Sequence, residues 1–471
     1  MMEKRELNSS RGQRCMQNCH ILNKNAAGFF LALTILAIAF SPAGAYDPLD
    51  PNGNITIKWD IVSWTADGYV AAVTMHNFQQ YRHIPSPPGW TLGWNWAKKE
   101  VIWAVVGGQT TEQGDCSKWK AGSPHCCKKD PTVVDLLPGV PYNQQFTNCC
   151  KGGALASWAQ DPPNSVASFQ VSVGNSGTTN KTVKLPKNFT LKAPGPGYTC
   201  GPAKIVKSSL FFSTDRRRTT QALMTWNVTC TYSQFLAQKS STCCVSLSSF
   251  YNDTITPCPT CACACRNNVT QPSCVHSDSP VLKLPGPTNP ITNSLQPPLL
   301  QCTRHMCPVR VHWHVKLNYK DYWRVKITVT NFNYRMNYTD WTLVAQHPNF
   351  DNVTQVFSFN YKPLTPYGSI NDTAMFWGQK YYNDLLMQAG PMGSVQSELL
   401  LRKDKQTFTF KQGWAFPRRL YFNGDQCVMP SPDAYPWLPS TAHPAPAPPS
   451  LFAFILPLAL ALAIVPSLFL P

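Results

Sequence analysis

The sequence predicts an all-β protein built from two antiparallel β-sandwich modules, and three observations support this prediction. Glutamate occurs at only 5 of 471 positions, whereas the strand-favouring residues Thr, Val, Tyr, Phe and Trp are plentiful. Apolar and polar side chains alternate along several segments, which is the period of a half-buried strand. A pattern of aromatic residues recurs 254 positions further along the chain, which indicates a duplicated module.

The beginning of the chain has the pattern of a secretion signal. A basic segment precedes the apolar run 26–40, which leads into Ala43-Gly44-Ala45, the small residues of a signal-peptidase site. Residues 1–45 are therefore predicted to be a signal peptide, and the mature chain is predicted to start at Tyr46.

The end of the chain has the pattern of a GPI-anchoring signal. Small residues from Ser440 onward are followed by an uncharged spacer and by the apolar tail 451–471. We expect Ser440 to be the attachment residue and 441–471 to be a propeptide that is removed. A transmembrane helix is the alternative interpretation, although proline interrupts the tail and no basic residue follows it.

The repeated pattern divides the chain between these ends. Trp59-Asp60-Ile61 recurs as Trp313-His314-Val315, and the segment from Tyr69 to Phe78 recurs as 323–332. A cysteine-rich, proline-rich segment separates the copies and contains the element Cys243-Cys244-Val245-Ser246. The predicted arrangement is a first sandwich at 46–203, a disulfide-stapled connector at 204–308, a second sandwich at 309–430 and a short stalk at 431–440.

The cysteines are expected to form disulfides. Two of the 19 lie in the signal peptide, which leaves 17 in an oxidising compartment and at least one without an internal partner. Zinc ligation by the run 258–265 is the alternative, but no metal is expected in a secreted chain. Each of three vicinal pairs is expected to join different segments: Cys126-Cys127, Cys149-Cys150 and Cys243-Cys244.

The surface of the mature protein is predicted to be glycosylated and basic. Removal of residues 1–45 leaves a net charge of +14, which favours anionic neighbours such as acidic wall polysaccharides or a membrane surface and makes nucleic acid an unexpected partner outside the cell. Nine sequons are candidate glycosylation sites: Asn54, Asn180, Asn188, Asn227, Asn252, Asn268, Asn337, Asn352 and Asn371.

The pattern of carboxylates argues against an enzyme. A glycosidase needs two facing carboxylates, yet the mature chain has three glutamates, and many aspartates precede proline as turn residues do. No nucleophile-elbow or zinc-protease motif occurs. No catalytic residue and no cofactor are predicted, and a wall-polysaccharide hydrolase or transglycosylase is kept as an alternative.

Aromatic residues are the candidate binding groups, because exposed rings stack on the apolar faces of sugars. Trp59 and Trp90 recur in the second copy, and Trp94 and Trp96 share the parity of Trp90, so these four are assigned to the core. The predicted carbohydrate-binding residues have no aromatic counterpart in the second copy or lie in a later loop: Trp64, Trp103, Tyr142 and Trp158.

Two family resemblances follow from these residues. The first copy, from Trp59 through Trp64, Gly68-Tyr69 and Trp90 to Trp103, resembles a family 2 carbohydrate-binding module, which implies that Trp64 and Trp103 are surface residues that bind cellulose. The whole chain resembles the plant COBRA-like proteins in Tyr46-Asp47-Pro48-Leu49-Asp50-Pro51, in the Cys243-Cys244-Val245-Ser246 element and in Gln426-Cys427-Val428-Met429-Pro430.

The second resemblance implies a non-enzymatic, GPI-anchored glycoprotein that lies at the outer face of the plasma membrane and in the wall. It also implies cellulose binding and an influence on cellulose deposition, microfibril assembly and cell wall biogenesis. An adhesion or receptor-like protein, whose modules bind other proteins and whose aromatic residues serve packing alone, is the main alternative.

Overall fold

The computed structural model describes residues 47–436, apart from 120–121, 194–195, 214, 238–240, 251, 259–273, 276–301, 304–306, 334–335, 352, 366–371, 391 and 404–414. The predicted signal peptide, the predicted propeptide and Ser440 lie outside the described residues, as do Asn268, Asn352 and Asn371. Within the described part, the regular structure consists of strands and short 3₁₀ helices, which confirms the all-β prediction. No helix in that part is long and apolar enough to cross a membrane.

The N-terminal part of the chain forms the first sandwich. Its strands are β1 (Ile55–Trp64), β2 (Tyr69–Asn77), β3 (Thr91–Asn95), β4 (Val101–Val106), β5 (Gly108–Thr110), β6 (Thr132–Asp135), β7 (Val166–Gly174), β8 (Lys187–Lys192), β9 (Tyr198–Cys200), β10 (Lys204–Val206), β11 (Leu210–Phe212), β12 (Thr219–Gln221) and β13 (Met224–Tyr232). Short 3₁₀ helices span Tyr142–Gln144 and Pro162–Asn164.

Two sheets of the first sandwich enclose an aromatic core. One sheet has the order β10-β13-β1-β2-β7-β4, with β9 also paired to β13, and the other has the order β5-β6-β3-β8. Trp59 stacks on Trp226 with ring centroids 5.5 Å apart, and Trp94 contacts Trp59 edge-to-face with ring centroids 5.2 Å apart. Trp59, Trp90, Trp94 and Trp96 are all buried, as the alternation predicts.

The C-terminal part forms the second sandwich. Its strands are β14 (Cys243–Ser249), β15 (Asn252–Thr256), β16 (Cys274–Val275), β17 (Cys302–Thr303), β18 (Val309–Asn318), β19 (Tyr322–Asn331), β20 (Tyr338–Thr339), β21 (Thr342–Gln346), β22 (Gln355–Val356), β23 (Phe359–Leu364), β24 (Thr373–Gly378), β25 (Leu385–Leu386), β26 (Ser394–Arg402), β27 (Arg419–Phe422) and β28 (Asp425–Gln426). A 3₁₀ helix spans Pro432–Ala434. The main sheets have the orders β15-β14-β18-β19-β26-β22 and β23-β24-β21-β27-β28.

The duplication is visible in the detailed geometry of the two copies. The β1–β2 pairing shifts register between Ile61 and Ser63, and the β18–β19 pairing shifts between Val315 and Leu317, 254 positions later in both cases. Asn77 Oδ1 accepts the backbone N–H of residue 79, and Asn331 Oδ1 accepts that of residue 333. The repeated asparagine therefore fixes the same loop exit in both sandwiches.

The strand pairing differs from the expected limits of the connector at both ends. β13 pairs with β1, so that residues 224–232 complete the first sheet. β14, which contains the Cys243-Cys244-Val245-Ser246 element, pairs with β18 and belongs to the second sandwich. This pairing is parallel, an exception to the expected antiparallel sheets. All seven residues of β14 are buried, so this strand lacks the period-two alternation of a half-buried strand.

The disulfides confirm the expectation for the vicinal pair Cys243-Cys244, whereas in the pair Cys126-Cys127 only Cys127 is bonded. Cys243 pairs with Cys427 and Cys244 with Cys258, which joins separate segments, and Cys127 pairs with Cys116. The expectation for the third pair is wrong, because Cys149 and Cys150 are bonded to each other. This pair lies in a tight loop in which Cys150 has φ of 67°. Cys126 is buried and has no disulfide partner within the described residues.

The two sandwiches pack against each other through a small apolar interface. Leu49 and Tyr81 from the N-terminal part form one buried cluster with Val344, Met375 and Tyr421. The Thr342 hydroxyl donates to the Tyr81 carbonyl at 3.2 Å. The segment that follows the predicted cleavage site therefore lies between the sandwiches.

Candidate functional site

The β1–β2 turn organises one end of the first sandwich. Trp64 is the last residue of β1 and pairs across the hairpin with Tyr69. Thr65 donates its backbone N–H to the Gly68 carbonyl at 2.9 Å, which closes the turn. The indole of Trp64 is half-buried, with its centroid 6.4 Å from that of Tyr69 in an edge-to-face contact. One side of this ring therefore packs on the core and part of it remains accessible.

Trp103 lies beside the same turn, on the edge strand β4 that pairs with β7. The β4–β7 pairing shifts register between Ile102 and Ala104, and this irregularity turns Trp103 out of the regular alternation. Its Nε1 donates to Oδ2 of Asp67 in the turn at 3.1 Å. A Cβ atom at Gly174 would lie 2.0 Å from that Nε1, so the close approach of the ring depends on glycine there.

A third tryptophan completes this group. Trp119 contacts Trp103 with centroids 5.1 Å apart and an interplanar angle of 77°. Trp119 lies in the loop closed by the Cys116–Cys127 disulfide and is half-buried. We call Trp64, Trp103 and Trp119 the indole cluster. The sequence reasoning missed Trp119, although a tryptophan inside a short loop bounded by cysteines could have indicated it.

The indole cluster is suited to stacking on an uncharged ring. Trp103 is held by a hydrogen bond and by a second indole, so little side-chain freedom remains to be lost when a ligand binds. Since the planes of Trp103 and Trp119 differ by 77°, the faces of both rings cannot lie flat on one planar surface. The cluster therefore offers flat faces together with an edge, and differs from a row of coplanar tryptophans.

The other two predicted residues lie elsewhere. Trp158 is 46% exposed and donates its backbone N–H to the Gln79 carbonyl, just beyond the opposite end of β2. The nine residues of β2 span roughly 25–30 Å, which separates Trp158 from the indole cluster. Tyr142 is 90% exposed on a 3₁₀ turn beside Gly107. It belongs neither to the indole cluster nor to the loop that contains Trp158.

The described sequons differ in accessibility. Asn180, Asn188 and Asn337 are exposed, Asn54 and Asn227 are half-buried, and Asn252 lies in β15. Asn227 pairs with Lys58 on one side and with Lys204 on the other, in the middle of the larger sheet of the first sandwich. A glycan at Asn227 would cover the outer face of this sheet and leave the end with the indole cluster open.

No metal centre is formed by the described residues: within them, no group of three or more His, Cys, Asp or Glu side chains could hold an ion. Cys258 of the run considered for zinc is in the disulfide with Cys244. The other cysteines of that run, Cys261, Cys263 and Cys265, lie outside the described residues.

Each half of the chain matches a model of a known protein family. A family model described as the COBRA N-terminal domain matches residues 69–233, and one described as the COBRA family C-terminal domain matches 242–436. The boundary between these matches agrees with the strand pairing, which places β13 in the first sandwich and β14 in the second.

Curated relatives resemble the chain over most of its length. COBRA-like protein 4 of Arabidopsis thaliana is 74% identical over 85% of this chain and 92% of the relative. COBRA-like protein 3 of Oryza sativa subsp. japonica is 74% identical over 84% of this chain and 87% of the relative. Protein COBRA of Arabidopsis thaliana is 69% identical over 87% of this chain and 91% of the relative.

Proposed function

Because this chain belongs to the COBRA family, we propose that it is a non-enzymatic, GPI-anchored glycoprotein of the outer plasma membrane and cell wall that binds cellulose. Through this binding it influences cellulose deposition, microfibril assembly and cell wall biogenesis. The observation that supports the binding step is the indole cluster, in which Trp103 and Trp119 contact each other beside the β1–β2 turn that follows Trp64.

The stacking energy per ring limits how tightly one module can bind cellulose. An aromatic ring that stacks on a planar ring contributes about 1–3 kcal/mol, and stacking on sugar is at most comparable. A single module therefore binds weakly. A lipid tether that holds many copies beside one fibril raises the overall binding through effective concentration.

A pull-down of the secreted fragment 46–440 on microcrystalline cellulose tests this proposal. Trp64→Ala combined with Trp103→Ala should abolish most of the binding, with the circular dichroism spectrum unchanged. Phe235→Ala is the matched control, because it removes an exposed aromatic ring just beyond β13, at the opposite end of the sheet from Trp64. Equal retention of the wild type and the double variant would reject the site, and reducing sugar released from cellulose or xylan would favour the hydrolase alternative.

A second binding role, for acidic wall polysaccharides, is favoured by one surface feature. β11 and β12 pair as a hairpin, which we call, together with the described turn residues 213 and 215–218, the arginine hairpin. Its turn contains Arg216, Arg217 and Arg218, all exposed, and is ordered by Asp215, whose carboxylate accepts the Arg217 N–H at 3.1 Å. The arginines are accompanied by exposed apolar residues on β11, of which Phe212 is 63% exposed.

This combination suits a chain of uronate sugars. Guanidinium groups bind carboxylates with two hydrogen bonds, and rings cover the apolar sugar faces. Replacement of the three arginines by alanine should weaken retention on polygalacturonate and reduce its salt dependence. A control variant with alanine at the exposed residues Lys184, Lys187 and Lys192 removes the same charge elsewhere on the first sandwich. If both triple variants weaken retention equally, retention depends on the net charge of the protein and not on the arginine hairpin.

A further inference from the structure

A cavity of about 160 Å³ lies between the two sandwiches. The first sandwich supplies His83, Gln160 and Asp161 to its wall, and the second supplies Thr339 and Asp340. A cavity of about 150 Å³ accommodates one six-membered ring in a well-studied engineered protein. This cavity therefore has room for one ring of a ligand.

The wall of this interdomain cavity contains polar atoms that lack partners. Nδ1 of His83 and Oε1 of Gln160 are buried, and neither has a hydrogen-bond partner among the described residues. A buried polar atom that makes no hydrogen bond destabilises the folded chain, so a ligand that bonds to it is favoured. Burial also lowers the pKa of His83 to about 4, so that its imidazole is neutral and can bond to an uncharged ligand.

Two carboxyl groups from opposite sandwiches line the same cavity. Burial of the Asp340 carboxyl, and then the charges of Asp161 and Asp384, raise its pKa. Gln160 Nε2 donates to the Asp340 carbonyl at 3.2 Å, which fixes the two sides of the cavity relative to each other. Lys151 lines the cavity beside these two carboxyl groups, so the wall combines hydrogen-bond donors and acceptors, which suits a hydroxyl-rich ligand.

Exposed aromatic residues lie in the two loops that supply this wall. Trp158 precedes Gln160 by two residues in the loop of the first sandwich and is accessible. In the second sandwich, the Asp340 N–H donates to the Asp384 carbonyl at 3.1 Å, which joins Asp340 to the loop that contains Tyr381 and Tyr382. Tyr381 is 91% exposed and Tyr382 is 72% exposed. Rings of this kind extend a small polar cavity for a chain of sugars.

We propose that the interdomain cavity is a second saccharide site, which takes one pyranose ring of a neutral glucan while neighbouring rings lie on the exposed aromatic residues. The choice of a glucan rests on the proposed function, but the site is separate from the indole cluster. The ligand of this site is a short or terminal stretch of chain, whereas the indole cluster contacts the surface of a fibril.

The protein's own glycan is the competing occupant. Asn337 is an exposed sequon residue two positions before Thr339, a residue of the cavity wall. All binding experiments are therefore repeated with Asn337→Gln.

Isothermal titration of the secreted, glycosylated chain with cellotetraose tests the inference. Ala154→Phe fills the cavity from its wall without removal of a polar group, and Gln160→Leu removes the unpartnered Oε1 together with the Nε2 that bonds to the Asp340 carbonyl. Each variant should weaken cellotetraose binding at least about tenfold. Gln170→Leu, on the outer face of the first sandwich, is the matched control and should bind as the wild type does. The Trp64→Ala, Trp103→Ala double variant should still bind cellotetraose.

Three results would overturn the inference. Cellotetraose binding that is lost in the Trp64, Trp103 double variant but kept in Ala154→Phe would assign the sugar to the indole cluster and leave the proposed function standing. No cellotetraose binding by a chain that is retained on crystalline cellulose would reject the second site alone. Binding that appears only with Asn337→Gln would assign the cavity to the protein's own glycan.

Discussion

Arg82 and Asp47 form a buried ion pair that fixes the start of the described chain to the first sandwich. Arg82 Nε donates to Asp47 Oδ2 at 2.9 Å, and both side chains are almost fully buried. The Tyr81 hydroxyl donates to the same carboxylate oxygen at 2.6 Å. The guanidinium carbon lies 3.7 Å from the ring centroid of Tyr232, so that charge, hydrogen bonds and an aromatic face all stabilise Arg82.

Loss of one partner of this pair should be strongly destabilising. Asp47→Ala leaves the Arg82 charge buried without its carboxylate, which costs about 3–5 kcal/mol of unfolding free energy. Glu112→Ala is the matched control, because it breaks the exposed Lys128–Glu112 pair and should cost less than about 1 kcal/mol. Denaturant unfolding of both variants measures the difference, and equal losses would show that Asp47 contributes no more than a surface charge.

Close packing of the sandwiches against each other should make one glycine intolerant of substitution. A Cβ atom at Gly424 would lie 2.3 Å from Arg82 Nη1, and Gly424 has φ of 87°. Gly139 has a similar φ of 92° but nothing within 4 Å, so Gly139→Ala carries only the backbone penalty of about 1–2 kcal/mol. Gly424→Ala should lower the melting temperature more than Gly139→Ala does. Equal shifts would contradict the described contact between the sandwiches.

Asp50 should make stability depend on pH in a defined direction. Burial raises the pKa of Asp50 to about 6, so between about pH 4 and 6 the folded chain binds more protons at this group than the unfolded chain. The stability contributed by this carboxyl is complete at low pH and is lost as the pH rises through 6. His83 and His312 act in the opposite direction, because burial lowers the pKa of each to about 4 and stability is lost as the pH falls from about 6.5.

The variant Asp50→Asn isolates the Asp50 contribution from that of the histidines. It should be more stable than the wild type at pH 7.5, by up to about 3 kcal/mol, and nearly equal to it at pH 4. Melting curves of both proteins across this range provide the measurement. A difference in stability that does not change with pH would show that the Asp50 carboxyl is not protonated preferentially in the folded state.

Asp67 should act as a positioning residue for the indole cluster. Asp67→Ala removes the acceptor of the Trp103 Nε1 hydrogen bond and should weaken cellulose binding several-fold, since the ring gains freedom that binding must remove. Asp67→Asn retains an amide oxygen at the same position and should restore most of the affinity. If neither variant changes adsorption while both fold normally, the orientation of Trp103 has no part in binding.

The sequence predicted the fold and one part of the site for identifiable physical reasons. Period-two alternation and the 254-residue repeat located the paired hairpins, because a half-buried strand must keep apolar residues on one face. The same alternation separated Trp59 and Trp94, which are buried, from Trp64, which is half-buried at a strand end.

Other features depend on contacts between distant segments and left little trace in the local pattern. Trp119 reaches Trp103 through a disulfide-closed loop, and β14 joins the second sandwich by a parallel pairing with β18. The interdomain cavity forms only where Gln160 and Asp340, 180 residues apart, meet. The geometry of Cys149 and Cys150 depends on a single tight turn, which spacing alone does not predict.

Adsorption isotherms on crystalline cellulose, at low and at high salt, are the sharpest test of cellulose binding through the indole cluster. We expect the wild-type fragment to bind with little salt dependence, because indole faces rather than charges make the contact. We expect the Trp64→Ala, Trp103→Ala variant to bind at least about tenfold more weakly. Equal affinity of the wild type and this folded variant, or binding that disappears at high salt, would contradict binding through the indole cluster.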